Sequence, residues 1–117
     1  HEVERLDLVR QVRELIGELL LDGGPTLEQV AARLNMPTRR LRERLSLAGV
    51  RFNDLVTDYR CRLAKELLLK TDERIEVIVE RTGFSEPSTF YRAFKRWVGE
   101  TPVEFRRRGK AAAERMS

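Results

Sequence analysis

The sequence predicts an all-α chain of about seven helices, built as two helix-turn-helix subdomains joined by a long linker helix. Three observations predict it. Apolar residues recur at helical spacing along most of the chain, and no segment alternates as a half-buried strand would. One pattern occurs twice. Leu27-Glu28-Gln29-Val30-Ala31-Ala32-Arg33-Leu34-Asn35-Met36, then Leu41 and Leu45, matches Ile75-Glu76-Val77-Ile78-Val79-Glu80-Arg81-Thr82-Gly83-Phe84, then Phe90 and Phe94. Finally, each copy reads as a short helix, a tight turn and a second helix, with Asn35 and Gly83 at the matching turn position. Glycine reaches φ > 0 at no steric cost, and asparagine is the next most tolerant residue.

The elements follow in order. Leu8, Val12, Leu15, Ile16, Leu19 and Leu20 mark a first helix that stops at Gly23-Gly24-Pro25. Thr26 with Gln29 matches a capping box that opens the next helix, whose buried stripe is Val30, Ala31 and Leu34. After Asn35-Met36-Pro37 a helix turns Leu41, Leu45 and Ala48 inward. Phe52, Leu55, Val56, Tyr59, Leu63 and Leu67 mark the linker helix, over roughly 52–69. In the second copy Ile75, Ile78 and Val79 face inward. Ser85 is the expected N-cap of the following helix, with Pro87 in its first turn, where a missing N–H does no harm. Phe90, Phe94, Trp97 and Val98 are expected in the core. Gly99 ends that helix, and Thr101-Pro102 opens a last short one containing Phe105. The charged, small-residue tail after Gly109 is expected to fray. The resulting division is 1–50 and 71–110 for the subdomains, 51–70 for the linker and 111–117 for the tail.

Composition narrows the function. The chain has 117 residues, 41% of them hydrophobic and 36% charged, with a net charge of +4. Its pI is about 9.7. This is enough apolar material for a core, and the basic balance is compatible with nucleic acid. Cys61 is the only cysteine, so no intrachain disulfide forms and a reducing, cytoplasmic setting is expected. One cysteine and one histidine make no metal-ligand cluster, and nothing calls for a cofactor. No apolar run approaches membrane-spanning length, and no signal peptide is visible. The chain starts at His1 rather than methionine and is expected to be a fragment. No nucleophile elbow, phosphate loop or histidine–carboxylate arrangement suggests catalysis.

The outward faces carry the chemistry. At 100° per residue, turning Leu41 and Leu45 inward points Arg39, Arg42, Glu43 and Ser46 outward, with Arg40 and Arg44 flanking. Turning Phe90 and Phe94 inward points Ser88, Tyr91, Arg92 and Lys95 outward, with Thr89 and Arg96 flanking. An arginine fork reaches guanine O6 and N7 together in the major groove, and Glu43 can accept from cytosine N4. Serine, threonine and tyrosine suit phosphates or base edges. Arg40, Arg44, Tyr91, Lys95 and Arg96 are therefore placed on phosphates. A linker helix over roughly 52–69 spans about 27 Å. Successive major-groove segments on one DNA face lie about 34 Å apart. With the flanking helices added, one monomer could put both reading heads on adjacent turns. Cys61 lies one position off the linker's apolar stripe and reads as an inert thiol rather than a redox sensor. Arg106, Arg107, Arg108 and Lys110 suit either phosphates or an exposed basic tail.

The run Gly83-Phe84-Ser85-Glu86-Pro87-Ser88-Thr89-Phe90-Tyr91-Arg92-Ala93-Phe94-Lys95-Arg96-Trp97 resembles the second helix-turn-helix of AraC/XylS-family transcription regulators. So does the ending Gly99…Thr101-Pro102…Phe105-Arg106. The stretch from Gly49-Val50-Arg51-Phe52 to Leu67-Leu68-Leu69 is similar to that family's linker helix, and the likeness covers about residues 5–108. The resemblance implies seven helices in two subdomains, bound to double-stranded DNA as a unit with both recognition helices in the major groove. It implies base contacts at Arg39, Arg42 and Glu43 in the first head and at Ser88, Thr89 and Arg92 in the second. It also implies an N-terminal effector or dimerisation domain outside this chain. RNA polymerase is expected as a further partner. Two positions depart from the pattern. Pro37 stands where the family often has a capping serine, so either Thr38 takes over the capping or that helix starts less firmly. Asn35 replaces the usual glycine, at modest strain.

The expected function is sequence-specific DNA binding in a bacterial transcription regulator, with activation favoured over repression. The alternative is a helical interaction module whose basic face meets an acidic partner or RNA polymerase.

Overall fold

A computed structural model describes residues 2–21 and 24–116. Seven α-helices run along these residues: α1 Glu2–Leu19, α2 Leu27–Arg33, α3 Thr38–Leu47, α4 Phe52–Lys70, α5 Ile75–Thr82, α6 Pro87–Val98 and α7 Pro102–Met116. The described residues contain no strand, so the all-α expectation holds. Gly23, expected to help stop the first helix, lies outside the described residues, as do His1 and the tail's Ser117. Among the described residues no helix is long and apolar enough to cross a membrane.

The chain divides into two compact units, 1–59 and 60–117. The boundary falls inside α4, and the two halves of that helix bury different side chains. Leu55 and Val56 are buried in the first unit with Val12, Ile16, Val30, Leu41 and Leu45. Cys61, Ala64, Leu67 and Leu68 belong to the second core, with Ile78, Val79, Phe84, Phe90, Phe94 and Phe105. Cys61 is thus fully inside a core rather than beside the apolar stripe.

Local sequence sets the helix ends. The Thr26–Gln29 capping box forms as the sequence predicts. The Gln29 N–H donates to Thr26 Oγ1 at 3.1 Å, and the Thr26 N–H to Gln29 Oε1 at 3.0 Å. Thr101 and Glu104 make the same box at the start of α7. Helix α2 ends with Asn35 in the left-handed region at φ 55°, and the Met36 N–H reaches back to the Ala31 carbonyl at 3.0 Å. Gly83 plays the same part after α5 at φ 80°. Asparagine tolerates this conformation less readily than glycine and far better than alanine. Asn35→Ala should therefore cost about 1 kcal/mol in denaturant unfolding, and Asn35→Gly should cost nothing or slightly stabilise.

Three expectations are corrected. Ser85 does not cap α6. The cap position is Glu86, extended at φ −143°, with no side-chain cap hydrogen bond. Pro87 takes the first helical position, which leaves Ser85 one residue too far back. Trp97 is not in the core but 43% exposed. It sits in the last turn of α6, beyond Phe94, which packs edge-on against Phe105 of α7 at 5.6 Å. The chain does not fray after Gly109. Helix α7 runs on to Met116, because Pro102 and Phe105 are buried and Gly109 lets the helix lie directly on Leu69. Ala111, Ala112 and Ala113 then continue it at no propensity cost.

Candidate nucleic-acid interface

Helix α3 begins without a side-chain cap, since Pro37 holds the cap position in extended geometry. Thr38 is already helical and does not replace it, so the looser of the two expected starts is found. Leu41 and Leu45 are buried. Arg39, Arg40, Arg42, Glu43, Arg44 and Ser46 are all exposed, on the faces the helical wheel assigns. Arg39 Nε lies 3.5 Å from Glu43 Oε1, with the side chains 88% and 64% exposed. An open i,i+4 pair of this kind is worth little in water, so either group is available to a partner. Arg44 stands at the edge, where it lines a shallow depression of about 270 Å³ with Glu4, Arg5, Leu8 and Leu47.

Helix α6 is positioned by aromatic packing. Phe90 and Phe94 are fully buried, and Phe90 meets Phe84 edge-on at 5.4 Å between centroids. Such pairs prefer defined angles and add to simple burial, which fixes the rotation of α6 about its axis. That rotation exposes Ser88, Tyr91, Arg92, Lys95 and Arg96, while Thr89 is half-buried at the edge. The Tyr91 ring leans edge-on against Phe90 at 5.7 Å, and the side chain stays partly exposed. Ser88 Oγ lies 3.4 Å from Glu86 Oε2, a long hydrogen bond that a ligand can replace. Among the described residues no carboxylate lies within ion-pair distance of Arg92, Lys95 or Arg96, although Lys95 is one of the charges that lower the Glu104 carboxyl, after its hydrogen bonds from Thr101. Within each unit, then, the structure brings the sequence-selected side chains onto one exposed face of one helix.

The basic residues of α7 divide differently. Arg106 is not a surface cation. Its guanidinium donates to three backbone carbonyls, those of Leu68 at 3.0 Å, Thr71 at 3.2 Å and Glu73 at 2.7 Å. It thereby satisfies carbonyls at the end of α4 and in the following loop. Arg108 pairs with Glu100 at 3.1 Å, and Lys110 with Asp72. The pairing with Lys110 holds the Asp72 carboxyl below its usual range. Arg107 is exposed.

One residue escaped sequence reasoning. Arg60 lies with its guanidinium carbon 5.3 Å from the centroid of the Phe84 ring. Its Nε is buried without a hydrogen-bond partner. The signal was available in its position, since Ala64, Leu67 and Leu68 follow at core spacing and mark Arg60 as a charge on a buried stripe.

Comparison with known proteins places this arrangement. A helix-turn-helix domain family matches residues 30–108. A helix-turn-helix transcriptional regulator of Mycobacterium tuberculosis is 37% identical over 110 residues, which is 92% of this chain and 32% of that protein. The ornithine utilization regulator of Pseudomonas aeruginosa is 38% identical over 82 residues, covering 70% of this chain and 24% of that one. The chain thus spans about a third or less of the length of these relatives. Among solved structures, the C-terminal domain of AraT, a response regulator of Geobacillus stearothermophilus, superposes with a TM-score of 0.75 at 36% identity, over 86% of this chain and 84% of that one. The DNA-binding domain of AdpA, solved in complex with a target DNA, superposes with a TM-score of 0.71 at 27% identity, over 92% and 94%. On the family match, these identities and the shared fold, the chain belongs to the AraC/XylS-type helix-turn-helix family of DNA-binding transcription regulators.

Proposed function

We propose that the chain reads a specific duplex sequence with two heads, α3 and α6 lying in successive major-groove segments. The observation that carries this reading is the repeated outward face. In both units a helix held by two buried apolar residues presents arginine beside hydrogen-bonding side chains. The DNA complex formed by AdpA supports it by likeness. Arg39, Arg42 and Glu43 contact bases in the first head, and Ser88, Thr89 and Arg92 in the second. Arg40, Arg44, Tyr91, Lys95 and Arg96 hold phosphates and set the register.

The same reading makes this chain the DNA-binding part of a cytoplasmic, non-enzymatic activator. A further effector or dimerisation domain and RNA polymerase are its other partners. The subdomains fall at 1–50 and 71–110, with α4 between them. Support for a further domain is the small share of the relatives' length that the match occupies.

Selection of bound sequences from a random duplex pool tests the function, with a scrambled duplex as competitor. Arg39→Ala, Arg42→Ala and Arg92→Ala should each cost about 1–3 kcal/mol on the selected site and relax preference at particular base pairs. Unchanged base preference in all three variants would remove these residues from the reading face. Equal affinity for the selected and scrambled duplexes would favour the interaction-module alternative.

A further inference from the structure

Arg60 occupies a position that the apolar pattern reserves for the core. Ala64, Leu67 and Leu68 follow it along one face of α4, and all three are buried. Its guanidinium carbon is 5.3 Å from the Phe84 ring centroid, so the side chain lies against that aromatic face. Burial disfavours the charged form and lowers its pKa, yet a guanidinium stays protonated at neutral pH. Its Nε finds no hydrogen-bond partner, and among the described residues no carboxylate pairs with it. A cation partly withdrawn from water with no counter-ion costs stability that an apolar side chain of similar length avoids. The cation–π contact with Phe84 offsets part of that cost and holds the side chain in place, while no carboxylate among the described residues neutralises the charge.

Phe84 fixes where that charge is presented. It follows Gly83 in the turn between α5 and α6, shortly before Pro87 opens α6. A recognition helix meets the major groove with its N-terminal residues while the first helix of the motif crosses the sugar–phosphate backbone, and Phe84 stands in the turn that joins the two. We infer that Arg60 is a phosphate contact of the second head: this linker-helix guanidinium, held on Phe84 and lacking an internal counter-ion, pairs with a backbone phosphate of the duplex that α6 reads. Such a contact presupposes duplex binding through α6, as proposed above. It adds to the second head a cation from outside the helix-turn-helix.

The test compares the full 117-residue chain with Arg60→Met and Arg60→Lys. Each is titrated with a random-sequence duplex across a salt series, and each is melted without DNA. Methionine keeps an unbranched stem on Phe84 and removes the charge; lysine keeps the charge. For Arg60→Met the log-affinity against log-salt slope should be shallower by about one unit, and binding about tenfold weaker near ~0.1 M salt. Its melting temperature should be unchanged or higher. Arg60→Lys should keep the parent slope. A parent-like slope in Arg60→Met overturns the phosphate contact and leaves duplex binding standing. A flattened slope that lysine does not restore, with a lowered melting temperature in both variants, assigns the guanidinium to the fold and overturns the contact equally. A parent chain whose duplex binding ignores salt overturns the DNA reading itself.

Discussion

Replacing Arg106 with alanine is expected to destabilise the second unit by about 4 kcal/mol and to lower the melting temperature by roughly 15 °C. The guanidinium donates to the Leu68, Thr71 and Glu73 carbonyls at once. Hydrogen bonds from a charged donor are each worth about 1.5–3 kcal/mol, and partial exposure discounts the sum. Alanine leaves the end of α4 and the loop before α5 without these donors. That loop has no regular structure to hold it, since α5 begins only at Ile75. Other side-chain ties of the loop are the Thr71 hydroxyl, which donates to the Leu67 carbonyl at 2.6 Å and accepts from the Glu73 N–H at 3.3 Å, and the partly exposed pairs Arg81–Glu73 at 2.7 Å and Lys110–Asp72, which are worth little. Arg106→Lys should recover less than half of the loss, because one ammonium cannot span three carbonyls set apart along the chain. Thermal unfolding followed by circular dichroism measures both variants. A loss below about 1 kcal/mol for alanine would mean that water replaces the guanidinium at these carbonyls.

Arg106 also shows where sequence reasoning stops. Periodicity says which way a side chain points, and it located the exposed faces of α3 and α6 because Leu41, Leu45, Phe90 and Phe94 define each helix's inward side by local spacing alone. The Thr26–Gln29 box and the Asn35 turn were legible for the same reason, since their partners lie within a few residues. Trp97 was not. Spacing puts it three residues after Phe94, but whether a side chain in the last turn is covered depends on packing from remote elements, which no local pattern contains. The tail after Gly109 is expected to fray, yet Gly109 serves as a gap that admits Leu69, a residue remote in sequence. Arg60 and Arg106 share one cause of oversight. Each is a charge on an apolar stripe, and a hydrophobic count scores it as an interruption. Such interruptions point to a specific partner, and in Arg106 that partner is the backbone.

The largest functional effect should come from the DNA rather than from the protein. Helix α4 passes without a break from one unit into the other. With 19 residues it is about 28 Å long. If α3 and α6 read successive major-groove segments, their half-sites are held about one helical turn apart. Inserting about five base pairs between the half-sites turns one of them to the opposite face of the duplex. The two-headed reading expects one head to let go when the half-sites face opposite sides of the duplex. Linked heads gain about 10²–10⁴-fold over a single head through effective concentration, and the gain vanishes when geometry forbids simultaneous engagement. Affinity for the inserted site should therefore fall by about two orders of magnitude or more, towards that of either half-site alone. Inserting about ten base pairs restores the face but lengthens the gap, and binding should stay weak. Titration of the parent site, the two insertions and each half-site at one salt concentration makes the comparison. Parent-like affinity for the five-base-pair insertion would mean that one head carries the binding or that α4 opens, and the two-headed reading would fall.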